Sequence, residues 1–177
     1  MGSRGLLSRG ATIIAMLGWA AACSRSSAAV RNDPDPKVEA VREQGRALFF
    51  GRAGCTMCHR VGDQGQQIVG PNLGVGDDQT APVGLRVRHD DLRGVDYVVE
   101  SIVDPDAFVV PGYARSVMKR YEEPPIALND EEIVALAAFL AGQGPGVSPL
   151  REIDLSRARQ RIDVTRRGRE ARLGPRP

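Results

Sequence analysis

Apolar residues recur at helical spacing in three segments of the chain. From Lys37 to Phe50, Val38, Val41, Ala47, Leu48 and Phe49 form a stripe among charged neighbours, and Gly51 and Gly54 end it. From Asp91 to Val103 the stripe is Leu92, Val95, Val98, Val99 and Ile102, with Pro105 as the stop. The third opens on Asn129 as N-cap, with Asp130, Glu131 and Glu132 in the first turn, where the helix dipole favours acids. Ile133, Leu136, Ala137 and Leu140 are its buried stripe, and Gly142 and Gly144 close it. The pattern predicts an all-α fold of about three main helices. Between them run two long aperiodic stretches, Arg60 to Asp90 and Asp104 to Leu128. Connections longer than about 12 to 15 residues in a compact domain need a functional reason.

The ends of the chain read differently. Arg4 and Arg9 precede an apolar run from Ala11 to Ala22, too short to span a bilayer at about 20 residues and shaped like the core of an export signal. Residues 1–22 are therefore read as a signal peptide and the protein as exported, either periplasmic or membrane-anchored facing the periplasm. Ala20-Ala21-Ala22-Cys23 resembles the small-residue stretch before a lipoprotein cysteine, although Ala20 stands where Leu is usual. Cys23 is read as a lipidation site and a membrane anchor, the alternative being an incidental cysteine in a discarded peptide. Residues 23–36 read as a flexible tether, small, polar and Pro-containing. Residues 145–177 carry Arg151, Arg157, Arg159, Arg161, Arg166, Arg167, Arg169, Arg172 and Arg176 and no aromatics. They read as a disordered Arg-rich tail that acts, if at all, through charge, because so few apolar side chains do not offset the cost of ordering a backbone, roughly 1 to 2 kcal/mol per residue.

Chemistry is concentrated in Cys55-Thr56-Met57-Cys58-His59, a C-x-x-C-H pentapeptide. This is the attachment pattern for c-type haem: two thiols, two residues apart, meet one porphyrin edge, and the adjoining imidazole lies under the iron. A redox cysteine pair would need a βαβ context and a structural zinc would need further Cys or His ligands, and the chain offers neither. One such motif predicts one haem, with Cys55 and Cys58 as covalent attachments and His59 as proximal iron ligand. The composition agrees. Aromatics make up only 5% of the chain, so a protein core alone would be thin, and a porphyrin supplies a large apolar plate. The long loops then have a reason, as walls of a haem crevice around residues 37–144. The formal charge of +2, from 24 basic and 22 acidic residues, does not indicate a nucleic-acid binder.

A sixth ligand is found by elimination. Met1 and Met16 leave with the signal peptide, and Met57 lies between the attachment cysteines. His89 and Met118 remain. His89 sits among Arg86, Arg88, Asp90 and Asp91 and reads as a solvated loop residue. Met118, in the second long loop, reads as the distal iron ligand, a thioether raising the reduction potential as suits an electron carrier. The competing reading makes it a gap-filling core residue, which the adjacent Lys119 and Arg120 count against.

With these residues in place, the stretch from Lys37 to Gly144 resembles the class I c-type cytochromes, the bacterial mono-haem cytochrome c family. Gly45 and Phe49 look like that family's first-helix contact, and Leu136, Phe139 and Leu140 like the last-helix residues that cross it. Gly70-Pro71-Asn72-Leu73 resembles the family's G-P-x-L turn, which implies that the Pro71 carbonyl accepts the His59 ring N–H. The run from Glu100 to Pro105 and on through Pro111-Gly112-Tyr113 to Met118 is similar to the family's distal segment. One departure is that many relatives follow the ligand Met with Pro, where this chain has Lys119 and Arg120. The resemblance implies the small cytochrome c fold and single-electron transfer between respiratory-chain partners, without enzymatic chemistry. The protein is then a free carrier with redox protein partners, or a cytochrome subunit of a membrane oxidoreductase complex. A gas-binding or peroxidatic haem protein with an open distal site is the alternative, and it requires Met118 to be unbound.

Overall fold

The computed structural model describes residues 33–66, 69–74, 82–86 and 91–174, together with Gly2. Residues 1 and 3–32, which hold nearly all of the signal segment, Cys23 and most of the tether, lie outside the described residues, as does His89. Helix α1, Pro36–Phe50, begins where the Asp35 side chain accepts the Lys37 amide at 2.9 Å and Pro36 supplies a preset φ. Its buried side is Val38, Gly45 and Phe49, whereas Ala47, expected in the stripe, is exposed. The face therefore turns on a glycine that an apolar count passes over. Helix α3, Asp130–Ala141, starts with the predicted cap: Asn129 Oδ1 accepts the Glu132 amide at 3.0 Å, and Glu132 Oε2 accepts the Asn129 amide at 3.0 Å. Every residue from Ile133 to Ala141 is buried, because α3 has neighbours on several sides.

Helices α1 and α3 cross in backbone contact. A Cβ on Gly45 would lie 1.9 Å from the Ala135 carbonyl oxygen, so only a glycine permits the approach. Phe49 and Phe139 stack beside the crossing with ring centroids 5.7 Å apart, and Phe50 meets Phe49 edge-on at 5.1 Å. Helix α2, Gly94–Val103, packs on α3. It begins three residues later than its apolar pattern suggests, since Asp91 and Gly94 take left-handed φ values of 62° and 56° that a helix start from Asp91 does not allow. Among its described residues, the first long loop contains a hairpin of two short strands, β1 (Arg60–Val61) and β2 (Gln64–Gly65), paired antiparallel, and a 3-10 turn at Val83–Leu85.

The expected disordered tail is corrected by a fourth helix. Helix α4, Glu152–Leu173, is 22 residues long and packs against α2 and α3. Its buried residues, Leu155, Ala158, Ile162, Thr165 and Arg169, fall alternately three and four apart, one continuous stripe. Ile162 and Ala158 are fully buried, and burying a large aliphatic side chain contributes roughly 1.5 to 3 kcal/mol. The arginines that suggested disorder are matched to acids of the body. Arg157 meets Asp96 and Arg161 meets Glu100, both at 2.5 Å, and Arg159 holds Glu131 through two bonds of 2.8 and 2.7 Å. The exposed pairs among these, Arg157–Asp96 and Arg159–Glu131, add little individually. Here they remove the repulsion that a helix so rich in one charge would otherwise carry.

Candidate haem-binding site

The C-x-x-C-H segment follows directly on α1. Gly54, with φ 65°, turns the chain into a 3-10 turn at Cys55–Met57, and the amides of Cys58 and His59 both donate to the Cys55 carbonyl, at 3.1 and 2.9 Å. This coil brings the two thiols and the imidazole into one short turn. The cysteines are unbonded to each other and half-buried. Burial pushes the Cys55 thiol up to about 12, the opposite of the low value that makes a redox thiol reactive. Among the described residues, no group of three His, Cys, Asp or Glu side chains is placed to hold a metal ion.

His59 is fixed by its neighbours in the first loop. Its Nδ1 lies 2.9 Å from the Pro71 carbonyl oxygen, so Nδ1 carries the proton and donates it, leaving Nε2 with a free lone pair. Burial holds the ring below its ordinary value of 6.5, and the Pro71 carbonyl opposes this while Arg86 adds to it. Gly70 lies against the imidazole so closely that a Cβ there would sit 2.4 Å from Cε1. Backbone bonds tie the loop to the motif: Gly70 N to Cys58 O at 3.1 Å, Leu73 N to Arg60 O at 2.8 Å, and Gln66 N to Thr56 O at 2.9 Å. Asn72, fully buried, accepts the Gly74 amide on its side chain at 3.0 Å and an Arg86 guanidinium bond on its carbonyl at 2.6 Å. Sequence reasoning missed the contact of Gly70 with the ring and the part of Arg86. The tight contact of the first is visible only once the ring is placed, and the second was grouped with the charged residues around His89.

Beside this turn is a cavity of about 470 Å³, lined by Cys58, His59 and Pro71 and by Ile102, Phe108, Tyr113 and Met118 from α2 and the second long loop. Met118 is half-buried and packs against the core. Tyr121, three residues on, lines the same cavity as Cys58 and is pushed up to about 12, first by burial and then by Cys55 and Cys58. Protein interiors rarely leave voids larger than a water molecule. A largely apolar cavity of this size, with two thiols, an oriented imidazole and a thioether on or beside its wall, fits a covalently attached porphyrin.

A family model described as Cytochrome c matches residues 43–144, more than half of the chain. The chain belongs to the cytochrome c family. The cofactor of this cytochrome c domain is accordingly haem c, covalently bound, with its iron, and the family's members are generally electron carriers rather than enzymes. The small all-α fold inferred from its resemblance and helical periodicity agrees with that assignment. No curated protein matches the chain. The match ends at residue 144, so α4 lies beyond it.

Proposed function

We propose that this cytochrome passes single electrons between respiratory-chain partners, with Cys55 and Cys58 as haem attachments and His59 and Met118 as axial ligands. The observation that carries the reading is the Nδ1 contact to Pro71: it commits the ring proton and presents the unprotonated Nε2 as a ligand, on the wall of the same cavity that Met118 lines. Bound haem iron supplies one-electron exchange between the ferrous and ferric states. The protein's own part is to hold both ligands still. Gly70 and Pro71 fix the imidazole plane, and apolar side chains such as Ile102 and Phe108 keep water away from the site.

The chain is read as exported, serving either as a periplasmic carrier or as a subunit held at a membrane complex by a lipid on Cys23. Among the described residues no helix is long and apolar enough to cross a membrane. Intact-mass analysis of the mature protein reads haem and lipid together. The ligand assignment is tested by Met118→Ala: the variant should bind carbon monoxide readily in the ferrous form and show a lower reduction potential. A wild type that already binds carbon monoxide rapidly, with Met118→Ala no different, would instead favour the gas-binding or peroxidatic alternative.

A further inference from the structure

The loop between α2 and α3, residues 104–129, carries Met118 without a helix or strand of its own. On one side of Met118, the Asp106 carboxylate accepts the Ser116 amide at 2.7 Å and the Ser116 hydroxyl at 2.8 Å. On the other side the restraint comes from α4. Arg169 is 3% exposed, and its Nη1 donates to the Val103 carbonyl at 2.5 Å and to Glu122 Oε2 at 2.8 Å. Val103 is the last residue of α2, and Glu122 lies shortly after Met118. One guanidinium thus joins the point where the chain leaves α2 to the point where it returns past the methionine.

Neighbouring arginines extend the tie. Arg166 Nε donates to the other Glu122 oxygen at 2.5 Å, and its Nη2 reaches Asp130, the first residue of α3, at 2.5 Å. Arg172 pairs with Asp104, the first residue of the loop. The Glu122 and Asp104 side chains are 8% and 5% exposed, so lifting the loop from α4 would strand nearly buried carboxylates and a buried guanidinium.

We propose that Arg169, acting through Glu122 and the Val103 carbonyl, is a positioning residue for Met118: it sets the span of the distal loop and so holds the thioether at the haem site. The proposal rests on the reading of Met118 as iron ligand. It assigns to α4, beyond the family match, a restraint on the site that the chain's Met118-Lys119-Arg120 sequence does not itself provide.

The test uses the full-length holoprotein carrying Arg169→Gln, Arg169→Lys or Glu122→Gln, with Ile162→Val as a control that loosens α4 without touching the tie. Two quantities are read under native conditions: amide hydrogen exchange across residues 113–121, and binding of imidazole to the ferric form. Arg169→Gln and Glu122→Gln should each speed exchange in that segment and strengthen imidazole binding by about tenfold, the scale of one lost charge-assisted hydrogen bond, with Arg169→Lys intermediate. Glu122→Gln preserves shape and carries the test if the arginine variants do not fold. Loop exchange no faster than in Ile162→Val, at matched unfolding midpoint, would overturn the proposal. Failure of the ligand reading looks different: Met118→Ala would then keep the wild-type spectrum and imidazole affinity, while the exchange comparison would still decide the role of Arg169.

Discussion

A methyl group on residue 70 would lie 2.4 Å from the His59 ring, closer than real contacts of its kind, so the ring must shift against the turn that carries residue 70. Gly70→Ala should therefore rotate the imidazole off the Pro71 carbonyl, shift the reduction potential and cost about 1 to 3 kcal/mol, the usual penalty for overpacking. Redox titration and denaturant unfolding of the holoprotein check both parts. At this scale much was legible. Cys55, Cys58 and His59 stand in a contiguous motif whose spacing carries its own chemistry, and Met118, which the structure puts on the cavity wall, was singled out because so few candidates existed. Pro71 came only by resemblance, and Gly70 was noticed only as part of that turn, since the demand on it is made by a ring placed eleven residues earlier.

Among the elements, α1 and α3 could be located to within about a residue because their caps and stripes agree. Helix α4 could not, for a physical reason. Its buried stripe includes Thr165 and Arg169, so a hydrophobic pattern shows only Leu155, Ala158 and Ile162, and the acids that neutralise its arginines are dispersed from Asp96 to Glu131. Order in this segment is a tertiary property. Ile162→Ala should cost about 2 to 5 kcal/mol by leaving a cavity between α4 and its neighbours, measured as a lower denaturation midpoint. Ending the chain after Gly144 should have a larger effect, since it uncovers α2 and leaves Glu100, Asp104 and Glu122 without these guanidiniums. The expected outcome is a lower unfolding midpoint together with a disturbed haem spectrum. The charge of this segment is turned inward: six of its arginines, at positions 157, 159, 161, 166, 169 and 172, are engaged with acids of the body.

For the whole molecule, these pairs set a dependence on acidity. Glu131 and Glu132 are both held below their ordinary value of 4.5, chiefly by bonds from Arg159 and Arg52, and Asp106 is held below 3.8 by the Ser116 amide and hydroxyl. Depressed folded values mean that the unfolded chain binds protons first as pH falls. Their contribution is complete above the ordinary values and is lost as pH drops through them toward the lower folded ones. Thermal midpoints of the holoprotein should be level above about pH 5 and decline below about pH 4.5, more shallowly in high salt, where these exposed pairs are already screened.

The helices are also threaded in alternation: the first crosses the third, and the second lies against the fourth. No cut along the chain separates two self-sufficient halves. The cysteine pair stands close after the first helix, whereas the outer side of α2 is covered by a 22-residue helix that comes long after it along the chain. The distal side of the crevice is thus completed by residues remote in sequence from the cysteine pair, and it is unfinished until α4 has docked.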